Sequence, residues 1–226
     1  MVSLAVAALL GAQVLSTTWD AAEGWREIQF GSALRPNRFH ATPETGVLRI
    51  SSQSSMSLWA RPIEVDLAAR PVLCWRWRIS APLQTADMGK KAGDDYAARL
   101  YVAFRLPPDS IGWSTRAQLA IARRLHGDAV PDAALNYVWD NRHAVGHHAP
   151  NAYTSQTRMV VQRSGASLAG QWVQERRNLA TDAQTWLPAG ARLVLVAVTA
   201  DTDNTGESVV AEFAALKLVG PQDGCD

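Results

Sequence analysis

Only two cysteines, Cys74 and Cys225, occur in the 226 residues. Neither has a second Cys or a His at metal-ligand spacing, which argues against a thiolate zinc site. Cys74 falls in a strand-like stretch and Cys225 lies next to the last residue, so one buried and one loose thiol is the simplest reading. A disulfide stapling the tail is the alternative in an oxidising compartment. Charge of one sign is also scarce: 22 Lys and Arg against 21 Asp and Glu leave a formal net charge of +1. No basic block offsets this balance, so no nucleic-acid partner is expected. No apolar run is long enough to span a bilayer. Nucleophile elbows, P-loops and dinucleotide fingerprints are missing, and Gly165 and Gly170 flank a loop without phosphate-binding order.

Residues 1–16 are apolar and uncharged. They read as a signal peptide or its remnant, with Gly11 and Ala12 near a cleavage point and a single domain over 17–226. That reading places the protein in the periplasm or outside the cell; a buried first strand is the alternative. The chain is 47% hydrophobic and 19% charged, enough to bury a sizeable core. Nine tryptophans are a high count, and one or two exposed ones would make platforms for sugar rings.

Alternation dominates the pattern. In 72–80, Leu73, Trp75, Trp77 and Ile79 point one way, and Cys74, Arg76, Arg78 and Ser80 the other. In 95–106, Tyr96, Ala98, Leu100, Val102 and Phe104 share one face, and Asp95, Ala97, Arg99, Tyr101 and Arg105 the opposite one. Further strands are expected at 47–51, 56–67, 134–139, 157–163, 171–178, 192–199 and 209–219. Helical spacing is confined to 114–125 and to one turn at 181–187, capped by Thr181 or Asp182. About ten strands with one or two short helical inserts predict an all-β fold, a two-sheet antiparallel sandwich of jelly-roll type.

Two acidic clusters carry the best functional signal. The first, Asp201, Thr202, Asp203, Asn204, Thr205, Gly206, follows the apolar run at 193–198, so a buried strand delivers oxygen-bearing side chains to one surface point. Asp201, Asp203, Asn204 and Thr205 would suit Ca²⁺, the one cofactor weighed against none. The spacing approaches an EF-hand with Glu212 at its last position, but both flanks read as strands rather than helices. A hairpin turn whose side chains satisfy backbone N–H groups is the plainer reading. The second cluster, Gly93, Asp94, Asp95, opens another strand.

The polar strand faces hold Arg76, Arg78, Asp95, Arg99, Tyr101, Arg158, Glu175 and Arg177. Guanidinium forks bind carboxylates and hydroxyls in fixed geometry, so these residues could line a groove. Equally, they could form a salt-bridge lattice over the sheet. Three of five histidines fall in the loop 140–148, best read as a polar loop, with Trp139 and Tyr153 placed to flank a ligand. Acid–base candidates for polysaccharide cleavage are Asp95, Glu175 and Asp201. The E-x-D-x-x-E pattern of sandwich glucanases is absent.

Several of these stretches resemble a bacterial family of exported proteins, domain of unknown function 3047. The matching segments are 73–78 (LCWRWR), 91–101 (KAGDDYAARLY), 135–139 (LNYVW), 158–161 (RMVV), 175–178 (ERRN) and 199–206 (TADTDNTG). The family transfers no catalytic residues. The resemblance implies that the acidic turn, the Gly-Asp-Asp segment and the Arg face belong to one site. The opening stretch, 46–50 with a closing 209–219 strand, is similar to carbohydrate-binding sandwiches at the level of fold. Together these features predict a glycan or other polyhydroxylated ligand in an Arg/Asp/Tyr groove. A polysaccharide hydrolase or lyase and a structural envelope protein are the alternatives.

Overall fold

The computed structural model describes residues 13–113, 115–116, 119 and 130–226. Thirteen strands are seen among them: β1 (Gln13–Val14), β2 (Arg26–Ile28), β3 (Arg38–Thr42), β4 (Val47–Gln53), β5 (Leu58–Pro62), β6 (Val72–Ile79), β7 (Tyr96–Arg105), β8 (Ala133–Asp140), β9 (His148–Pro150), β10 (Thr157–Ser164), β11 (Val173–Asn178), β12 (Arg192–Asp201) and β13 (Ser208–Val219). One sheet runs β11-β6-β13-β4-β3, with β1 added beside β13. The other runs β2-β5-β12-β7-β8-β10-β9. The expected two-sheet sandwich is what forms. Its pairing is antiparallel except for β8 and β10, which run parallel because β9 takes the sheet edge and β10 returns between them.

The core lies between the sheets. Leu73, Trp75, Trp77 and Ile79 of β6 meet Ala98, Leu100, Val102 and Phe104 of β7 there. Trp19, Trp25, Trp75, Trp77 and Trp139 are buried in it, so packing accounts for five of the nine tryptophans, while Trp113 stands 85% exposed. The folded unit begins ahead of residue 17: β1 pairs Gln13 with Leu218, and Leu15 is buried and accepts a hydrogen bond from Trp25 Nε1 (3.1 Å).

Three expectations are corrected. The two cysteines are joined, with Cα atoms 5.5 Å apart, so the C-terminal tail is stapled to β6. Tyr96 does not follow the β7 alternation. Between the pairs Thr199–Arg99 and Tyr96–Asp201, β7 carries one residue more than β12. This bulge sends both Ala97 and Ala98 into the core and swings Tyr96 to the face of Arg99. The helix α1 (Leu179–Trp186) starts two residues earlier than expected because Asn178, not Thr181 or Asp182, caps it by accepting from Thr181 N (3.1 Å). Asp182 is instead paired with Arg177. The helix expected over 114–125 falls mostly outside the described residues.

Candidate functional site

The outer face of the seven-stranded sheet carries a cleft of about 1000 Å³. Its floor comes from the ends of β7 and β12. Arg99 and Asp201 sit there as an ion pair, Arg99 Nη1 to Asp201 Oδ2 at 2.9 Å, with side chains only 5% and 3% exposed. The rings of Tyr96 and Tyr101 face the guanidinium at 5.1 and 4.5 Å from their centroids, a cation–π clamp made possible by the bulge. The pairing of Asp201 is incomplete: Arg99 Nε and Asp201 Oδ1 are buried without a hydrogen-bond partner among the described residues.

The acidic turn is built onto this floor by Asp95. Its Oδ1 accepts from Asn204 N (3.3 Å) and Nδ2 (3.1 Å), and its Oδ2 from Thr205 N and Oγ1 (both 2.7 Å). Thr202 anchors the turn from behind, its hydroxyl 2.7 Å from Ser52 Oγ and accepting from Ser55 N (3.3 Å). Gly206 closes it at φ +74°, a left-handed conformation that disfavours side chains. Gly93 allows the other approach, since a Cβ there would lie 2.8 Å from Asp87 N. Asp94 is spent on Tyr96 OH (3.0 Å) and Asn151 Nδ2 (2.6 Å). Tyr153, 55% exposed, places its hydroxyl 2.8 Å from Asn204 Oδ1 and 3.0 Å from Lys91 O, sharing its one proton between these acceptors, and so stands at the rim.

Carboxylate oxygens of Asp95, Asp201 and Asp203 lie within 4.8 Å of one another. Burial pushes the Asp201 carboxyl well above the usual carboxylate range. Arg99 opposes that shift, while a hydrogen bond to Asp203 and the charges of Asp95 and Asp203 add to it. The surplus of negative charge around Asp201 is thus offset by one guanidinium among the described residues. The far wall is apolar: Ile28, Phe30, Leu34, Met56 and Leu58, with Leu195 below.

The sequence-derived candidates separate into two groups. Asp95, Arg99, Tyr101, Asp201, Asp203, Asn204 and Thr205 come together here, so the acidic turn and the Gly-Asp-Asp segment meet as the resemblance implied. The other arginines do not join them. Arg76 and Arg78 lie on the outer face of the opposite sheet, stacked over Trp172 at 5.2 and 4.9 Å. Arg177 binds Asp182, and Arg158 alternates to the side of the buried Val160. Glu175 is held inside the sandwich by Trp77 Nε1 (2.9 Å), Arg163 Nε (2.6 Å) and Gln162 Nε2 (2.8 Å), away from any cleft carboxylate. Trp139 is buried with its Nε1 on Gly165 O, so it cannot flank a ligand.

The proposed calcium set also changes. Asn204 and Thr205 give their side-chain donors to Asp95, and Asn204 Oδ1 is taken by Tyr153. Glu212, the final EF-hand position, binds Arg49 and Arg78 on the other sheet. The sequence reading missed Asn136, which is fully buried beside Tyr101 with its Oδ1 unpartnered. It also missed the Phe30 wall. Asn136 is a polar residue in an otherwise apolar strand, and that interruption was the available signal.

No curated protein matches the chain in sequence. Among solved structures, the endoglucanase Cel12A of Rhodothermus marinus superposes with a TM-score of 0.48 at 10% identity, covering 88% of this chain and 92% of that one. The xyloglucanase domain of NopAA from Sinorhizobium fredii gives 0.46 at 7% identity, over 87% and 92%. A family 30 carbohydrate-binding module of Clostridium thermocellum gives 0.38 at 8%, over 94% and 95%. These likenesses say nothing about the residues of this cleft. The model of the family described as "Protein of unknown function (DUF3047)" matches residues 23–217, and the chain belongs to that family.

Proposed function

We propose that the cleft on the seven-stranded sheet binds a glycan or another polyhydroxylated ligand. The observation that carries this reading is the pairing of exposed aromatic faces, Phe30 and Tyr153, with a floor of fixed carboxylates and a guanidinium. Aromatic rings stack on the apolar faces of sugar rings, and carboxylates and guanidinium take up the hydroxyls around them. On the acidic turn, the half-buried Asp203 carboxylate lines the cleft and is placed to meet such hydroxyls. The Cys74–Cys225 disulfide supports export to an oxidising compartment, periplasmic or extracellular, as part of the same proposal. The segment ahead of β1 serving as the export signal belongs to that proposal too.

The test is a titration of neutral and acidic oligosaccharides into the protein and into Tyr153→Ala. Binding weakened about tenfold by Tyr153→Ala supports the reading. Absence of binding to every glycan in the panel, or binding untouched by the variant, contradicts it. A second reading, cleavage of a polysaccharide, is favoured by one observation: Asp201, raised by burial and lying within 4.8 Å of the Asp95 and Asp203 carboxylates, is the kind of carboxyl that can donate a proton to a leaving oxygen. Release of new reducing ends or unsaturated products, lost in Asp203→Asn, is the outcome that separates an enzyme from a binding protein.

A further inference from the structure

The charge at the head of the cleft does not balance. Asp95, Asp201 and Asp203 bring carboxylate oxygens within 4.8 Å of one another, and two of these residues are almost fully buried. Among the described residues one cation, Arg99, touches the group, through Asp201 Oδ2. Ionised, three carboxylates against that one guanidinium carry a charge of −2 at a point where only Asp203 is partly exposed. Like charges this close repel strongly at reduced dielectric. Among the described residues no N–H or hydroxyl donor reaches Asp201 Oδ1, although the side chain is only 3% exposed. A buried acceptor left without a donor is costly and asks for an occupant.

We infer that the three carboxylates hold a divalent cation of the calcium class, bound through Asp201 Oδ1 and the Asp203 carboxylate and open to the cleft on its remaining side. The donors are all oxygen, which selects hard cations and disfavours zinc or copper. Asp203 is half-buried and lines the cleft, so it leaves an entry path and free coordination positions. Asp95 holds the third charge in place: its oxygens already accept four hydrogen bonds from the turn, which fixes the backbone that carries Asp203. A +2 ion cancels the −2 that Arg99 leaves. Ca²⁺ fits better than Mg²⁺ because its coordination tolerates an irregular donor set completed by water or ligand hydroxyls. The inference stands apart from the glycan reading, since the cation has its own protein ligands; if both hold, the ion is where ligand hydroxyls meet the floor.

The experiment uses the full chain, stripped with EDTA, and measures thermal unfolding with Ca²⁺, with Mg²⁺ and with neither. Tb³⁺ luminescence excited through tyrosine is recorded beside it, because Tyr101 and Tyr153 line the same cleft. At a hundredfold excess over Kd, Ca²⁺ should raise Tm by roughly 5 °C. It should also displace Tb³⁺. Asp203→Asn, at a half-buried position whose carboxylate forms no ion pair among the described residues, should fold and lose both signals. Arg49→Ala, on the opposite sheet, should keep both. A stripped protein whose Tm is unmoved by either ion and which sensitises no Tb³⁺ overturns the inference, and the carboxylates then share a proton. Signals that survive Asp203→Asn overturn it as well.

Discussion

The two outer faces of the sandwich use the same residue types to opposite effect. On the six-stranded sheet, Arg49 and Arg78 bracket Glu212 across β4, β13 and β6, with Arg38, His40 and Arg76 nearby on the same face. Arg49 and Arg78 are 51% and 38% exposed. On the seven-stranded sheet, Arg99 and Asp201 are 5% and 3% exposed. On the first face two half- to well-exposed guanidiniums share the Glu212 carboxylate, itself 9% exposed, so each pair is partly screened by water and contributes little. The second is a buried pair with orphan atoms, like-charge neighbours and a cleft above it. Burial, more than the kind of residue, distinguishes a surface lattice from a candidate site.

Breaking the pair on each face should therefore have very different consequences. Arg99→Ala leaves Asp201 buried without its cation and should cost about 3–5 kcal/mol in urea unfolding. Arg49→Ala removes an exposed partner of Glu212 and should cost about 0.2–1 kcal/mol by the same assay. Equal losses would erase the distinction between the faces. It follows that Arg99→Ala is a poor probe of ligand binding, because folding and binding fail together; Tyr153→Ala at the rim separates them.

The pH dependence sharpens the contrast from the other side. Asp201 is raised in the folded state, so its protonated form is favoured there. Stability from this group is present below its unfolded value and is lost as pH rises through the folded one. Glu212 is lowered in the folded state: burial works against its charge, and the hydrogen bonds and charges of Arg78 and Arg49 outweigh it. Its contribution is present above its unfolded value, near 4.5, and is lost as pH falls through the folded one. In EDTA, Asp203→Asn should therefore gain stability over the parent above the folded value of Asp201, and the gain should vanish in acid. Glu212→Gln should show the reverse, a deficit at neutral pH that closes in acid. These are the smallest effects expected, and a Tm series run from well below the ordinary Glu value of 4.5 to alkaline pH reads both.

The sandwich was legible because β4, β6, β7, β12 and β13 alternate over many residues, and alternation of that length admits few other folds. Strands β1, β2, β3 and β9 were missed; they are two to five residues long and owe their form to neighbours rather than to pattern. For the site, alternation correctly turned Arg76, Arg78, Arg99 and Tyr101 away from the core but carried no information on which sheet each strand joins. Groove and lattice were both contained in that reading, and the structure assigns one to each sheet. Tyr96 was misplaced because a bulge inserts one residue without marking the sequence. The cysteine pair was open for a similar reason: 151 residues separate its members, and only the return of β13 beside β6 brings the tail to Cys74.

The most direct measurement is hydrogen–deuterium exchange of the intact protein with and without the glycan that binds it most tightly. Ligand should slow exchange in 94–101 and 201–206, with no change across β4 and β6 on the opposite face. Protection confined to the Arg49, Arg76 and Arg78 strands would contradict the account and move the site to the other sheet.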